Sequence, residues 1–523
     1  MRVRLLHPQR GVPEAMSVPN AEILTADLEL GTLLVAMAAG DGFLWEVANQ
    51  TLLRPLLDPE AIRYRQRAVV DCLKNPEVIR ELYDIAVTAV EDQRKGYFGF
   101  FRDNPDSTLS GGIRLLELLV PMLRQLRAVA DRHLTAFASP AFVRLFTMLK
   151  QELSYIYLDA VETHVRNLQP RRGVELAAGV GRVGEAVDYR VLRPRKAGWR
   201  DWIPPVLDHS SYGFQIPPRD DAGFQALSEM RGRGLNEVAN AVAQSADHVR
   251  GFFRALRSEL AFYVGCLNLA EHLTANGEPI CIPEVAADSD RMFSATGLYD
   301  VALSLHLEER TVGNDVTADG KRLVFITGAN QGGKSTFLRS VGLAQLMMQA
   351  GMFVPASSFR ARTVTGIFTH YKREEDATME RGKLEEELSR MSEIADLIRP
   401  GALLLCNESF ASTNEREGSE IGRQVARAMT ESGVDLFYVT HLYDLAHGFE
   451  TEADAEVLFL RAERRSDGSR SFKLVEAGPL DTSFGEDLYR RIFGPDDDLA
   501  LGRSWRQDQA MAPTARSDRG TAG

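Results

Sequence analysis

A chain of 523 residues exceeds what one hydrophobic core usually serves, so two or three domains are expected. Its 44% hydrophobic and 26% charged residues exclude a disordered chain; no apolar run approaches the roughly 18 residues of a membrane span, and the N-terminus lacks the sustained apolar stretch of a secretory signal. Cys72, Cys266, Cys281 and Cys406 are too dispersed for a disulfide framework or a C-x-x-C zinc site, which fits a reducing cytoplasm, and the net charge of −12 confines any nucleic-acid contact to a local basic surface.

Residues 1–22 read as a flexible leader. From Ala26 the apolar spacing is helical through DLELGTLLVAMAAGDGFLWEVANQTLLRPLL. Asp58 and Pro59 then open a second helix as cap and first-turn residue, and Asn75-Pro76 breaks it from a third. Leu109-Ser110-Gly111-Gly112 imitates the transporter-ATPase signature but lies far ahead of any phosphate-binding motif, so Ser110 is expected to be the N-cap of a helix starting at Ile113. Helical spacing continues to residue 168. Short β-like runs separated by Gly and Pro predict a small β-containing insert at about 170–218, and a long helix returns over residues 223–273. In the insert, Arg193, Arg195, Lys196 and Arg200 cluster with Trp199 and Trp202, a candidate DNA surface of phosphate-neutralising charges and stacking faces. The competing reading is a solvated rim whose charge is diluted by Glu185, Asp188 and Asp201.

The next stretch organises the chain. LVFITGANQGGKST (Leu323 to Thr336) joins an apolar strand-like run to G-x-x-x-x-G-K-S, and a helical pattern follows over Phe337 to Gln349. Strand, glycine loop and helix in that order make a phosphate-binding loop. Gly328, Ala329, Asn330, Gln331, Gly332, Gly333, Lys334, Ser335 and Thr336 are the expected nucleotide-binding residues: backbone N–H groups and the helix N-terminus face anionic oxygens, Lys334 supplies a point charge, and the Ser335 hydroxyl is placed for Mg²⁺.

Strand-like GMFVPASSF and RTVTGIFTHY come next, then a helix with an apolar stripe at Leu384, Leu388, Met391, Ala395 and Ile398. The buried-strand run ALLLC delivers Asn407-Glu408, where a metal-supporting residue and a water-orienting carboxylate belong. A further apolar strand, Leu436 to Val439, delivers Thr440-His441. A lone histidine is more often structural, but at the end of such a strand it can sense a γ-phosphate.

The ordered set TGANQGGKST, NES-x-x-x-TNEREG and VTHLYDLA resembles the ATPase domain of MutS-family mismatch-repair proteins. LLRPLLDPEAIRYRQRAVVDCLKNPEVIREL resembles the start of that family's helical core, and Thr482-Ser483-Phe484-Gly485 its C-terminal element. The resemblance implies an α+β multidomain protein: a helical core or lever domain at 23–290, a P-loop ATPase domain of the ABC/MutS type at 291–495, and a disordered tail at 496–523. It further implies ATP and Mg²⁺ as cofactors, Glu408 and His441 as catalytic groups, Ser335 and Asn407 at the metal, and a homodimer formed through the ATPase domains.

Three departures qualify this. Asn407 replaces the family's usual Asp, and Gly382-Lys383 replaces a Ser-bearing loop that completes the partner's site, leaving Lys383 as the candidate trans residue. The N-terminal mismatch-reading and connector domains and the Phe-x-Glu wedge have no counterpart ahead of the helical core; Phe484-Gly485-Glu486 belongs to the C-terminal element. The expectation is a cytoplasmic ATPase that couples ATP to dimer closure and DNA binding, in DNA repair but without direct mismatch reading. The alternative is a nucleotide-gated scaffold closing on a protein partner, with slow or no hydrolysis.

Overall fold

The computed structural model describes residues 1–8, 18–96, 105–168, 176–180, 182, 186–191, 221–287, 291–373, 382–452, 454–465 and 469–481. Chain order begins with helices α1 (Ala21–Asp27), α2 (Leu30–Ala38), α3 (Gly42–Leu52), α4 (Pro59–Lys74), α5 (Pro76–Gly96), α6 (Pro105–His133), α7 (Pro140–Glu152) and α8 (Tyr155–Asn167). The hairpin β1 (Leu176–Val180) and β2 (Ala186–Val191) precedes the 55-residue helix α9 (Asp221–Ala275). Then follow β3 (Glu284–Val285), β4 (Phe293–Leu298), α10 (Val301–Leu307), β5 (Asn314–Thr317), β6 (Leu323–Gly328), α11 (Lys334–Gln349), β7 (Ser358–Ala361) and β8 (Ile367–Tyr371). The series closes with α12 (Lys383–Leu397), β9 (Leu403–Asn407), α13 (Glu415–Glu431), β10 (Asp435–Val439), α14 (Tyr443–Glu452), β11 (Val457–Arg464) and β12 (Arg470–Glu476). Among the described residues, no helix is long and apolar enough to cross a membrane.

Two compact units divide the chain. The first comprises Met1–Ser17, Gly31–Ala275 and Met347–Phe353. Its helices start where local chemistry says they should: Asp58 accepts from Glu60 N ahead of Pro59, and Ser139 caps α7 ahead of Pro140. Buried Asp71 accepts from the N–H groups of Ala138 and Ser139, fixing the entry to α7. Aromatic packing of Phe137, Phe142, Phe146 and Tyr263 joins α7 to α9. The Leu-Ser-Gly-Gly run is a packing device. A Cβ at Gly112 would lie 2.9 Å from Val242 Cγ1, so the glycine lets α6 approach α9 closely.

Three sequence expectations in this half need correction. Helix α6 begins at Pro105, which suits a first helical turn, so Ser110 sits inside the helix and caps nothing. The run after Ala26 is the last residue of α1 and two further short helices, α2 and α3, because Glu29, Ala39 and Gly40 take positive φ and turn the chain. The first eight residues are not loose: Leu5 is fully buried, and its N–H and that of Leu6 donate to Glu259.

The second unit comprises Val18–Leu30, Asn276–Leu346 and Val354–Gly523. It holds a six-stranded sheet in the order β12-β11-β6-β10-β9-β8, parallel except for the antiparallel edge strand β12. A four-stranded sheet, β3-β7-β4-β5, is mixed. Both faces of the larger sheet are covered, as a parallel sheet requires. On one, Phe325, Leu404, Cys406 and Tyr438 pack with Met391 and Ile394 of α12, Ala426 of α13 and Phe449 of α14. On the other lies α11, brought close at Gly342, where a Cβ would stand 2.7 Å from Leu405 Cδ1.

The apolar stripe expected on α12 is shifted. Met391 and Ile394 are buried with Glu387 and Arg390, whereas Leu388 and Ala395 face outward. Two buried charged residues mask the true face from a hydrophobicity count. Of GMFVPASSF, only Ser358 and Phe359 enter a strand, in β7; the earlier residues make one isolated bridge, Cys281 to Val354.

Candidate functional site

Sheet register assembles the site. Ile326 of β6 pairs with Val439 of β10, and Val439 pairs with Asn407 of β9, so three parallel strands end in one row. Their continuations, Thr327-Gly328, Thr440-His441 and Glu408, emerge from the same sheet edge. In open α/β sheets that carboxyl edge is where ligands bind.

The glycine loop is held tightly to its neighbours. Gly328 has φ 100° and pairs with Ala462 of β11; a Cβ on it would lie 3.0 Å from Ala462 N. A Cβ on Gly332 would lie 2.7 Å from Ala462 Cβ and 2.8 Å from Ala329 O. Gln331 and Gly333 also take positive φ, which turns successive peptides in one sense. The first hydrogen bond into α11 is Phe337 N to Gly333 O at 2.9 Å, so the first-turn N–H groups before it have no intrahelical acceptor. Arg470 Nε of β12 donates to Asn330 O at 3.3 Å, and the Phe472 backbone borders Gly333.

Lys334 is 5% exposed, and its ammonium donates to Gly328 O at 2.8 Å, Ala329 O at 3.2 Å and Asn330 Oδ1 at 3.4 Å. Burial pushes its pKa down, opposed by the negative charge of Glu408. Ser335 Oγ donates to Asn407 Oδ1 at 2.9 Å, joining α11 to β9. Glu408 is in the left-handed region at φ 53°, with its N–H on Val439 O at 2.9 Å. Its carboxylate lies 3.7 Å from His441 Nδ1; that ring, with Lys334 and Lys372, holds the carboxyl below the usual range against the effect of burial.

Residues 328–336, Asn407, Glu408 and His441 thus come together at one edge. Lys383 opens α12, half-buried, after the N-cap Gly382. Arg193, Arg195, Lys196 and Arg200, together with Thr482 to Glu486, also lie outside the described residues. The sequence reading missed Arg470, Ala462 and Phe472. They carry no motif: Ala462 of β11 and the Phe472 backbone of the edge strand β12 act by proximity, and Arg470 by a side-chain contact that no sequence spacing announces.

These residues fit a Mg²⁺-nucleotide on structural grounds. The loop tolerates no Cβ at Gly328 or Gly332 without displacing neighbours, its only ammonium is turned toward it, and two hard oxygens, Ser335 Oγ and Asn407 Oδ1, stand together at its mouth.

Comparison with known proteins agrees with this class of site. Residues 57–276 match the family model of the MutS2 N-terminal domain, and residues 324–504 match that of MutS domain V, an ATPase domain. The chain belongs to the MutS family. It is 24% identical to a DNA mismatch repair protein MutS 2 of Haloarcula marismortui over 88% of this chain and 54% of the relative. A DNA mismatch repair protein MutS of Haloquadratum walsbyi is also 24% identical, over 90% of this chain and 55% of its own. A MutS 2 of Halobacterium salinarum reaches 30% identity over 36% of this chain and 22% of its own. The chain spans about half the length of the relatives that it matches along most of its extent.

Proposed function

We propose that the 328–336 loop of this chain binds ATP with Mg²⁺ and that the chain hydrolyses it, using the energy to close a homodimer and to bind DNA in the cytoplasm. The carrying observation is the convergence of Lys334, the Ser335–Asn407 pair and the Glu408–His441 pair on one sheet edge. The second unit is a P-loop NTPase fold in this reading.

The backbone N–H groups at the start of α11 and the Lys334 ammonium bind and orient the phosphates. Ser335 Oγ and the Asn407 amide oxygen would hold the metal. Bound Mg²⁺ neutralises charge on the phosphate oxygens. Glu408, kept ionised by His441 and Lys334, accepts a hydrogen bond from the attacking water and orients it. His441, 3.7 Å from the Glu408 carboxylate, is the residue assigned to report the γ-phosphate, and Lys383 is the residue assigned to reach a partner's site.

A second reading rests on Asn407. Its neutral amide keeps an oxygen toward Ser335 but supplies no negative charge to a cation, which favours a nucleotide-gated scaffold with slow turnover. Steady-state hydrolysis with and without duplex, branched and single-stranded DNA separates the two. The enzyme reading expects turnover that falls roughly 100-fold or more in Glu408→Gln, with ATP binding kept. Tight binding without turnover in either protein supports the scaffold. Turnover indifferent to every DNA sinks the DNA part and leaves the ATPase.

A further inference from the structure

Behind Glu408 lies a polar cluster that phosphate chemistry does not use. His370 on β8 and Ser409, the residue after Glu408, are both fully buried. The imidazole Nε2 lies 3.0 Å from the Glu387 carbonyl oxygen of α12, and Nδ1 lies 2.7 Å from Ser409 Oγ. A carbonyl only accepts, so Nε2 carries a proton. Burial first, and Arg390 second, lower the ring's pKa to about 4. At neutral pH Nδ1 is therefore bare and accepts from the Ser409 hydroxyl. The other acceptor within reach of that hydroxyl is the carbonyl of His370 itself, at 2.8 Å, so in either arrangement Ser409 is bound to His370.

The same short turn is held elsewhere. Tyr438 of β10 donates its hydroxyl to Ser409 O at 3.0 Å, and Phe410 stacks on the His370 ring at 5.4 Å between centroids. Ser412 Oγ donates to Glu387 Oε1 at 3.0 Å, giving a second link from this turn to α12. Glu408 directly precedes these anchors, with its own N–H on Val439 O, in a left-handed conformation that a residue with a side chain keeps only where its surroundings over-determine it.

We propose that His370 is a positioning residue for Glu408, tying the turn that carries this carboxylate to α12 through the Ser409 hydroxyl and the Glu387 carbonyl. The inference rests on the reading of Glu408 as the group that orients water. Helix α12 starts at Lys383, so the link runs from the helix assigned to a partner's site to the carboxylate of the chain's own site. A shift of α12 along its axis displaces the Glu387 carbonyl, and through His370 and Ser409 it moves Glu408.

Two variants break the link without emptying the core: His370→Phe keeps a ring against Phe410, and Ser409→Ala removes only a hydroxyl. Each is expected to lower kcat for ATP roughly 10- to 100-fold, the cost of misplacing a reacting group, while KM and nucleotide affinity stay within about twofold. The double variant should be no slower than the slower single, because both cut one connection, and Ser409→Thr should recover most of the rate. Amide hydrogen exchange across residues 403–413 is the second readout, with faster exchange at Glu408 to Phe410 expected in both single variants. Unchanged kcat per folded molecule together with unchanged exchange, even with a lower melting temperature, overturns the proposal and makes His370 a core residue. A parent protein that hydrolyses no ATP removes the enzyme reading, and the exchange pattern then decides alone whether His370 holds the turn.

Discussion

Arg65 in the helical unit and Lys334 in the sheet unit are both buried cations, at 3% and 5% exposure, yet their partners differ in kind. Arg65 donates to Leu6 O at 2.9 Å, to Ala350 O at 3.1 Å and to His7 Nε2 at 2.9 Å, and its guanidinium lies over the Phe262 ring. Those partners come from three distant stretches of chain. All three partners of Lys334 belong to its own loop, within six residues. A cation that gathers remote backbone fixes a fold. One that borrows acceptors from its own loop can release them to an anion without disturbing anything distant.

The largest expected effect tests this directly. Arg65→Met should cost about 3–5 kcal/mol in denaturant unfolding, since it strands the Leu6 and Ala350 carbonyls and removes the positive charge near half-buried Glu259. Lys334→Met should cost under about 1 kcal/mol but weaken nucleotide binding roughly 10- to 100-fold, the worth of a lost charge-assisted contact. Equal stability losses in the two variants would erase the distinction.

A second pair sharpens it through pH. His370 has a folded pKa of about 4 against an ordinary value of 6.5, so between these values the unfolded chain binds a proton that the folded chain refuses. Its contribution is therefore fully present above pH 6.5 and lost as pH falls toward 4. It amounts to about 2 kcal/mol on going from pH 6.5 to 5. His7 in the helical unit, lowered to about 4 by burial and then by Arg65, adds a slope of the same sign. Melting curves at pH 7 and pH 5 should show a smaller loss for His370→Phe than for the parent; parallel losses would mean that the ring is not excluded from protonation.

Gly332→Ala comes next. Its methyl meets Ala462 and Ala329 O, so the loop must deform, and nucleotide affinity should fall about tenfold, roughly 1.4 kcal/mol, with little change in melting temperature. The smallest effect belongs to Arg124, whose ion pairs with Asp159 and Glu162 stand at the surface of the helical unit. Arg124→Ala should cost less than about 1 kcal/mol by thermal unfolding.

Legibility from sequence followed the same division. Contiguous features were readable: the strand, glycine loop and helix around Gly328, the Asp58-Pro59 start of α4, and the strands that end at Asn407 and Val439. Their common edge depends on register, yet chain order with short strands and intervening helices already implied a parallel sheet. What escaped was set by residues that pair across the fold. Glu387 and Arg390 look like a solvated face, and it takes contacts from distant residues, Ser412 for Glu387 and Tyr371 of β8 for Arg390, to hold them in the interior. His370 and Ser409 belong to no motif, and their hydrogen bond joins residues 39 apart. Leu5 hides in a segment whose composition resembles a leader, because its burial depends on Tyr263 and Glu259 far along the chain.

The interleaving of the two units has a consequence for how the protein is made. The piece Met347–Phe353, which supplies the Ala350 carbonyl to Arg65, leaves the ribosome long after Gly31–Ala275. The helical unit must then wait, almost assembled, with a buried cation short of one partner. Val18–Leu30 waits longer still, until the strands that it belongs with have been translated. Neither unit can finish in simple order from the N-terminus: the helical unit is complete only after Phe353 has emerged, and the sheet unit only after β12 has followed it.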